Sequence, residues 1–358
     1  MQTADSRQVL FVLGMHRSGT SALCAALQAC GASFGTNLLE PMGGVNEEGF
    51  WEDAELVAVN ERLLEAAGAR WYSATTGLLQ LDWHAAEFDA ERELAREILG
   101  RGFGAGPLEA VKDPRLCLTL PFWTSLCAEM AIDTAFCAIN RAPLEVARSL
   151  ERRDGFPPGY GLRLYQLYSR GIAHHVSGNI TYVAYDELLA DPAGVMARLS
   201  AALPLTVSQD MLSSAVRGDL RHHREVDSDS VLCHAASGPP DEDALGSAIL
   251  EQYPVEDTLA QFAVAVAERG AEMIRIGGLH SIALQTVAER DQQISDFDVR
   301  FSELGQKHAE LHEQLSKLGD EHAYALDLIR SRDAQLKRVF SKPLIGQLFR
   351  AAWKYEQR

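Results

Sequence analysis

Gly14-Met15-His16-Arg17-Ser18-Gly19-Thr20-Ser21 joins an apolar run, Gln8–Leu13, to a helical pattern that opens at Thr20. Glycines in such a turn let backbone N–H groups point inward. The helix N-terminus adds partial positive charge, so the main chain itself can hold an anion. The hydroxyls of Thr20 and Ser21 are further donors to the same phosphate. Loops of this kind that hydrolyse nucleoside triphosphates carry Lys immediately before the hydroxyl residue, where it reaches the β- and γ-phosphates. Thr20 occupies that place, and the cation stands three residues earlier, at Arg17. The apolar run Ala135–Ile139 continues into Asn140-Arg141, so it ends without the aspartate that would hold Mg²⁺. The loop therefore predicts phosphate binding while weighing against ATPase or GTPase chemistry.

Glu52 and Asp53 follow Phe50 and Trp51. Apolar company raises a carboxyl pKa toward the range useful to a general base, whereas the first turn of a helix favours the same acids through its dipole. Glu52 is the preferred base; Glu48 and His84 are outlying candidates. A local basic cluster, Arg217 to Arg224, could face a nucleotide or an anionic acceptor, or end a solvated helix.

These residues need a scaffold, and the hydrophobic pattern supplies one. Gln8–Leu13, Leu108–Val111, Thr134–Ile139 and Ile180–Ala184 read as short strands, near-continuously apolar as a sheet covered on both faces requires. Helical patterns cover Thr20–Cys30, Trp51–Ala67, Glu87–Leu99, Pro143–Arg153, Leu162–Val176 and Pro192–Ala202, with Gly31 and Gly68 placed to close the first two. The alternation predicts an α/β fold with a doubly wound parallel sheet of the phosphate-loop type, spanning residues 1–280.

Residues 281–340 differ. They contain no proline and keep a seven-residue beat. With position a at Val287, Ile294, Phe301, His308, Leu315, His322, Ile329 and Leu336 share one stripe, and position d holds Arg290, Phe297, Leu304, Leu311, Leu318, Ala325, Arg332 and Val339. That register predicts a coiled coil on the order of 85 Å long, joining a second copy of the chain or a partner helix. The two His and two Arg in the seam weaken it. Residues 341–358 complete a basic stretch whose apolar residues Leu344, Ile345, Leu348, Phe349 and Trp353 follow helical spacing. Such a helix can lie on an anionic membrane or cap the coil.

The whole chain has 358 residues and a net charge of −17, which disfavours sequence-independent nucleic-acid binding. No apolar run reaches the ~20 residues of a membrane span. The six cysteines lack metal-ligand or disulfide spacing and read as reduced core residues, which places the chain in the cytoplasm, with the basic tail at the inner face of the membrane.

"GMHRSGTSAL" after the first strand resembles the 5′-phosphosulfate loop of the sulfotransferase family, in particular the Golgi-type and bacterial branch with Arg where cytosolic members have Lys. The resemblance covers roughly residues 8 to 225 and excludes the coil. It implies 3′-phosphoadenosine 5′-phosphosulfate (PAPS) as donor, gripped by Gly14, His16, Arg17, Ser18, Gly19, Thr20 and Ser21. "INRAPLEVARSL" resembles the family's second signature, which implies that Arg141 and Ser149 hold the 3′-phosphate. "VKDPRL" resembles its Lys-containing turn and implies that Lys112, with Arg17, stabilises the departing oxygen, Asp113 orienting Lys112 or the loop. "YVAYDELLADP" resembles the segment that closes the core, with Asp186 as a helix cap. The family's position for an acceptor-activating carboxylate falls on Glu52. No metal is implied, because the sulfuryl group carries less charge than a phosphoryl group and fixed cations suffice. The implied reaction is sulfuryl transfer to a hydroxyl of a carbohydrate, glycolipid or other small acceptor, with the loop Arg153–Tyr160 gating the acceptor. A kinase binding ATP through Arg17 and a non-catalytic coiled-coil scaffold are the alternatives.

Overall fold

The structure, a computed structural model, describes residues 7–40, 49–176, 178–215, 230–341 and 347. Glu48, the cluster Arg217 to Arg224 and nearly all of the basic tail lie outside the described residues.

Two compact units divide the chain, Met1–Gly270 and Ala271–Arg358. In the first, the elements run β1 (Gln8–Leu13), α1 (Thr20–Ala29), β2 (Ala32–Ser33), α2 (Ala54–Ala66), α3 (Asp89–Arg101), β3 (Leu108–Lys112), α4 (Leu116–Glu129) and β4 (Asp133–Asn140). They continue with α5 (Pro143–Asp154), α6 (Pro158–His175), β5 (Ile180–Ala184), α7 (Tyr185–Ala190), α8 (Pro192–Ser200), α9 (Gln209–Ala215) and α10 (Glu242–Gln252). A long helix, α11 (Val255–Phe340), begins in the first unit and continues through the second. No helix among the described residues is long and apolar enough to cross a membrane.

The strands form one parallel sheet in the order β2-β3-β1-β4-β5. Val12 aligns with Lys112 on one side and Leu13 with Ala138 on the other, so β3 and β1 end within one residue of each other while β4 runs two residues further. β1 shows why its run is continuously apolar. Val9, Phe11 and Leu13 pack toward α2 to α6, while Leu10 and Val12 pack toward α1, α8 and α9. Alternate side chains point to opposite faces, and both faces are covered. The doubly wound parallel sheet and the long C-terminal helix are as the sequence predicts.

Some elements escape the periodicity. The two-residue β2 carries too little pattern to read. α4 is apolar nearly all round and contains Pro121, two features that hide a buried helix. Pro121 cannot donate to the carbonyl of Cys117 one turn back. At that carbonyl α6 packs closest: a Cβ on Gly171 would lie 2.2 Å from the Cys117 oxygen, so only glycine fits. α2 starts at Ala54 and not Trp51 because Asp53 caps it, accepting from the N–H groups of Glu55 and Leu56 at 3.1 and 3.0 Å. Asp186 lies in the first turn of α7, whose cap is Ala184, so the capping role expected of Asp186 is not observed. Five of the cysteines are buried, Cys233 is partly buried, and no disulfide occurs among the described residues. Burial holds Cys24, Cys117, Cys127 and Cys137 protonated, with Cys117, Cys127 and Cys137 pushed up to about 12.

Candidate active site

The chain winds to one side of β1 through β2 and β3 and then crosses to β4. The crevice at that reversal, outside the carboxyl ends of the strands, is where open α/β sheets bind ligands. The loop Gly14 to Gly19 sits there. A Cβ on Gly14 would come within 2.9 Å of the Ile139 carbonyl oxygen, so the loop approaches β4 as closely as glycine allows. Its N–H donates to Cys117 Sγ at 3.3 Å, and Ser18 N–H closes the turn onto the Met15 carbonyl at 3.1 Å. Gly19 is left-handed at φ 95° and lies under the Tyr185 ring, 2.3 Å from where a Cβ would stand. Arg17 is left-handed too, at φ 70°, a conformation that costs an ordinary residue on the order of 1–3 kcal/mol.

Two orphaned atoms lie in this loop. Ser18 Oγ and His16 Nε2 are buried and lack a hydrogen-bond partner. The His16 ring stands 4.5 Å from Trp71 and 6.0 Å from Tyr168. Burial, followed by the charges of Arg115, Arg153, Lys112 and Arg17, holds its pKa well below the usual imidazole value.

Arg17 and the second motif meet here although 132 positions separate them in sequence: Arg17 Nε donates to Ser149 Oγ at 2.9 Å. Pro143 starts α5, which places Glu145 and Ser149 one turn apart on one face. Arg141, at the end of β4, donates to Glu145 Oε2 at 2.8 Å and to the Arg17 carbonyl at 3.4 Å, with its guanidinium 4.8 Å above the Tyr185 ring. Burial, then Arg153 and Arg141, lowers the Arg17 pKa.

Lys112 and Glu52 form the other corner. Lys112 Nζ, at the end of β3, donates to Glu52 Oε1 at 2.6 Å, to the Phe50 carbonyl at 2.6 Å and toward Ser21 Oγ at 3.5 Å. Only 3 % of the Lys112 side chain and 8 % of Glu52 are exposed. Residues 37–39 fix the Glu52 backbone by pairing with 52–54: Leu39 N–H donates to the Glu52 carbonyl and Ala54 N–H to the Asn37 carbonyl. The surroundings of Glu52 are thus not merely apolar, as the sequence implied. Burial raises its pKa, and the buried Lys112 ammonium opposes that rise.

The remaining acids are structural. Asp53 caps α2 and accepts from Arg101 at 3.0 Å. Asp113 does not orient Lys112; it accepts from Asn60 Nδ2 at 2.8 Å and from Arg115 at 2.9 Å, and so holds the loop after β3. His84 is exposed, its N–H turned to Asp82.

No family model and no curated protein matches this chain. The solved structures to which it is similar include two domains. One is the sulfotransferase domain from the Synechococcus PCC 7002 olefin synthase, at 18% identity and TM-score 0.38, over 71% of this chain and 98% of that one. The other is the sulfotransferase domain from the curacin biosynthetic pathway, at 16% identity and TM-score 0.37, over 74% and 99%.

Sequence reasoning missed Trp71, which packs on His16 and lies 5.3 Å beneath the Arg153 guanidinium. Trp71 also meets Phe156 of the expected gate loop at 5.8 Å, and Tyr160 OH donates to the Tyr72 carbonyl at 2.6 Å. The expected gate loop is interlocked with rings from two distant segments, Trp71 and Tyr72 on one side and Phe262, which stacks on Tyr160 at 4.3 Å, on the other; only the loop itself carries a turn signature. Arg115 was missed as well. It is buried and bridges Asp113 to Glu61.

Proposed function

We propose that the chain is a sulfotransferase that moves a sulfuryl group from PAPS to a hydroxyl of a carbohydrate, glycolipid or other small acceptor. Residues 1–280 form the catalytic domain and 281–340 the coiled coil. The observation that carries this reading is the convergence of Arg17, Ser149 and Arg141 at the sheet's carboxyl edge. One glycine-turned loop and one arginine-bearing strand end meet there, as a nucleotide with anions at both its 5′ and 3′ positions requires. The residues fit such a donor. The loop leads into the N-terminus of α1 at Thr20, whose first amides lack intrahelical partners, and Ser18 Oγ is a buried hydroxyl without a partner. Arg141 presents its remaining guanidinium edge to a 3′-phosphate, since a planar fork suits phosphate oxygens.

When bound, the donor supplies the electrophilic sulfur. The acceptor oxygen forms a bond to sulfur as the bond to the 5′-phosphate oxygen breaks, leaving 3′,5′-ADP. Arg17 and Lys112 stabilise the charge that develops on the bridging oxygen, a contribution of about 10²–10³ in rate for one such donor. Lys112 is held by Glu52 before reaction. As its ammonium turns toward the departing oxygen, Glu52 is released to take the acceptor's hydroxyl proton. The exchange couples base to leaving group through one ion pair.

Calorimetric titration with 3′,5′-ADP and with ATP plus Mg²⁺, followed by transfer of labelled sulfate from PAPS into cell extract, tests the reading. Tighter binding of 3′,5′-ADP and transfer that falls steeply in Arg17→Ala and Arg141→Ala are expected; preference for ATP would end it.

A further inference from the structure

The long helix carries a second inference, independent of the donor. We infer that residues 287–339 pair with the same residues of a second copy of this chain running in the opposite direction. Large apolar residues of the a and d stripe lie open along α11: Ile294 is 59% exposed, Phe297 68%, Phe301 78%, Leu304 64% and Leu315 67%. A stripe this narrow and long is the seam of a two-helix coil, not the broad face of a helix packed on a globular domain.

Direction follows from what each layer would meet. Two copies running in parallel and in register set every seam residue against itself. Arg290 would then face Arg290, and Arg332 would face Arg332. His308 and His322 would each meet their own kind, Phe301 would crowd Phe301, and Ala325 would face Ala325 across a void. Like charges in a seam and mismatched volumes both oppose association.

Antiparallel pairing sets a against d. With Val287 opposite Val339, Phe301 faces Ala325, so the largest side chain meets the smallest. His308 faces Leu318, His322 faces Leu304, Ile294 faces Arg332 and Leu336 faces Arg290. No seam charge meets its like. The flanks mostly agree: Arg332 of one copy comes beside Asp291 and Asp298 of the other and Arg290 beside Asp333, so that the one like-charge approach, Asp291 to Asp333, has both seam arginines next to it. Lys307 or Arg300 comes beside Glu321. This complementarity of size and charge within one sequence selects a second copy as the occupant.

Disulfide trapping on the full chain tests both parts, in a Cys233→Ser background because the other native cysteines are buried. Mixed Val287→Cys and Val339→Cys proteins are expected to form a 287–339 disulfide at least about tenfold in excess of either homodisulfide. Homodisulfides in each single variant would establish the parallel arrangement and overturn the inference. A monomer in sedimentation equilibrium at micromolar concentration, the result if the helix folds back or serves a different protein, would overturn it as well. Should the seam variants fold poorly, spin labels at the exposed Glu289→Cys give a second readout. Antiparallel copies separate the labels by roughly 70 Å at 1.5 Å per residue, and parallel copies hold them within about two helix diameters, ~20 Å.

Discussion

Two corners of one crevice manage charge in opposite ways. At the phosphate loop, Arg17 lies near Arg141, which is paired with Glu145, and Arg153, which is paired with Asp154; burial and then these cations lower the Arg17 pKa. Across the loop, Lys112 is matched at 2.6 Å by Glu52. In the proposed function the first corner holds a standing anion, and a ligand completes its electrostatics. The second is balanced in the free protein, so that its cation can change partners when charge appears.

The sharpest way to break this contrast is to unbalance the balanced corner. Glu52→Gln leaves a buried ammonium without its carboxylate and is expected to cost about 3–5 kcal/mol of folding stability. Lys112→Met combined with Glu52→Leu should recover most of that stability in urea denaturation while transfer stays absent. Full stability in Glu52→Gln would mean that the pair is not the buried ion pair described.

Next comes the crowded corner. Arg17→Ala should lower transfer by about 10²–10³, or about 2.7–4 kcal/mol, with no loss of stability. Arg17→Gly is expected to be more stable than the parent by about 1 kcal/mol, because it removes a left-handed non-glycine residue. Thermal denaturation alongside an activity assay separates the two quantities. A stability loss in both variants would show that the arginines pack the core and do not await an anion.

Much of the first corner was legible in the sequence because it is local. A strand, a glycine turn and a helix start follow one another, and Arg141 and Ser149 stand on one short strand-to-helix connection. The second corner was half legible. Lys112 and Glu52 could each be named as chemical, but they lie 60 positions apart, and only the level ends of β1 and β3 bring them together. Trp71 illustrates what stays hidden: one aromatic in an irregular segment has no periodicity, and its contact with His16 exists only once the fold is formed. α4 failed differently, since a helix apolar all round has no face for a period to reveal.

A smaller effect separates structural from functional histidines. Burial, with His174 as the lesser cause, depresses His175 to about 4, and its Nε2 lacks a partner. The folded state therefore binds fewer protons than the unfolded state between pH 6.5 and about 4. Stability present above pH 6.5 is lost as pH falls through that window. With allowance for solvent screening, the loss is on the order of 1–2 kcal/mol. His175→Phe should flatten this part of the stability–pH curve, which chemical denaturation at stepped pH measures. His16 acts in the same direction and is distinguished by ligand: 3′,5′-ADP should leave the His175 contribution unchanged. The smallest expected effect is Asp53→Ala, about 1 kcal/mol for a lost helix cap, with transfer retained. Lost transfer at full stability would return Asp53 to the chemistry.

The claim under all of these is that one nucleotide is held at both anionic ends by two separated pieces of chain. Calorimetric titration of the parent and Arg141→Ala with 3′,5′-ADP and with 5′-AMP measures this directly. The parent should bind 3′,5′-ADP at least about tenfold more tightly than 5′-AMP, a difference of about 1.4 kcal/mol, and Arg141→Ala should erase the difference while binding 5′-AMP as the parent does. Equal affinity for the two nucleotides in the parent, or a preference that survives the loss of Arg141, would contradict it.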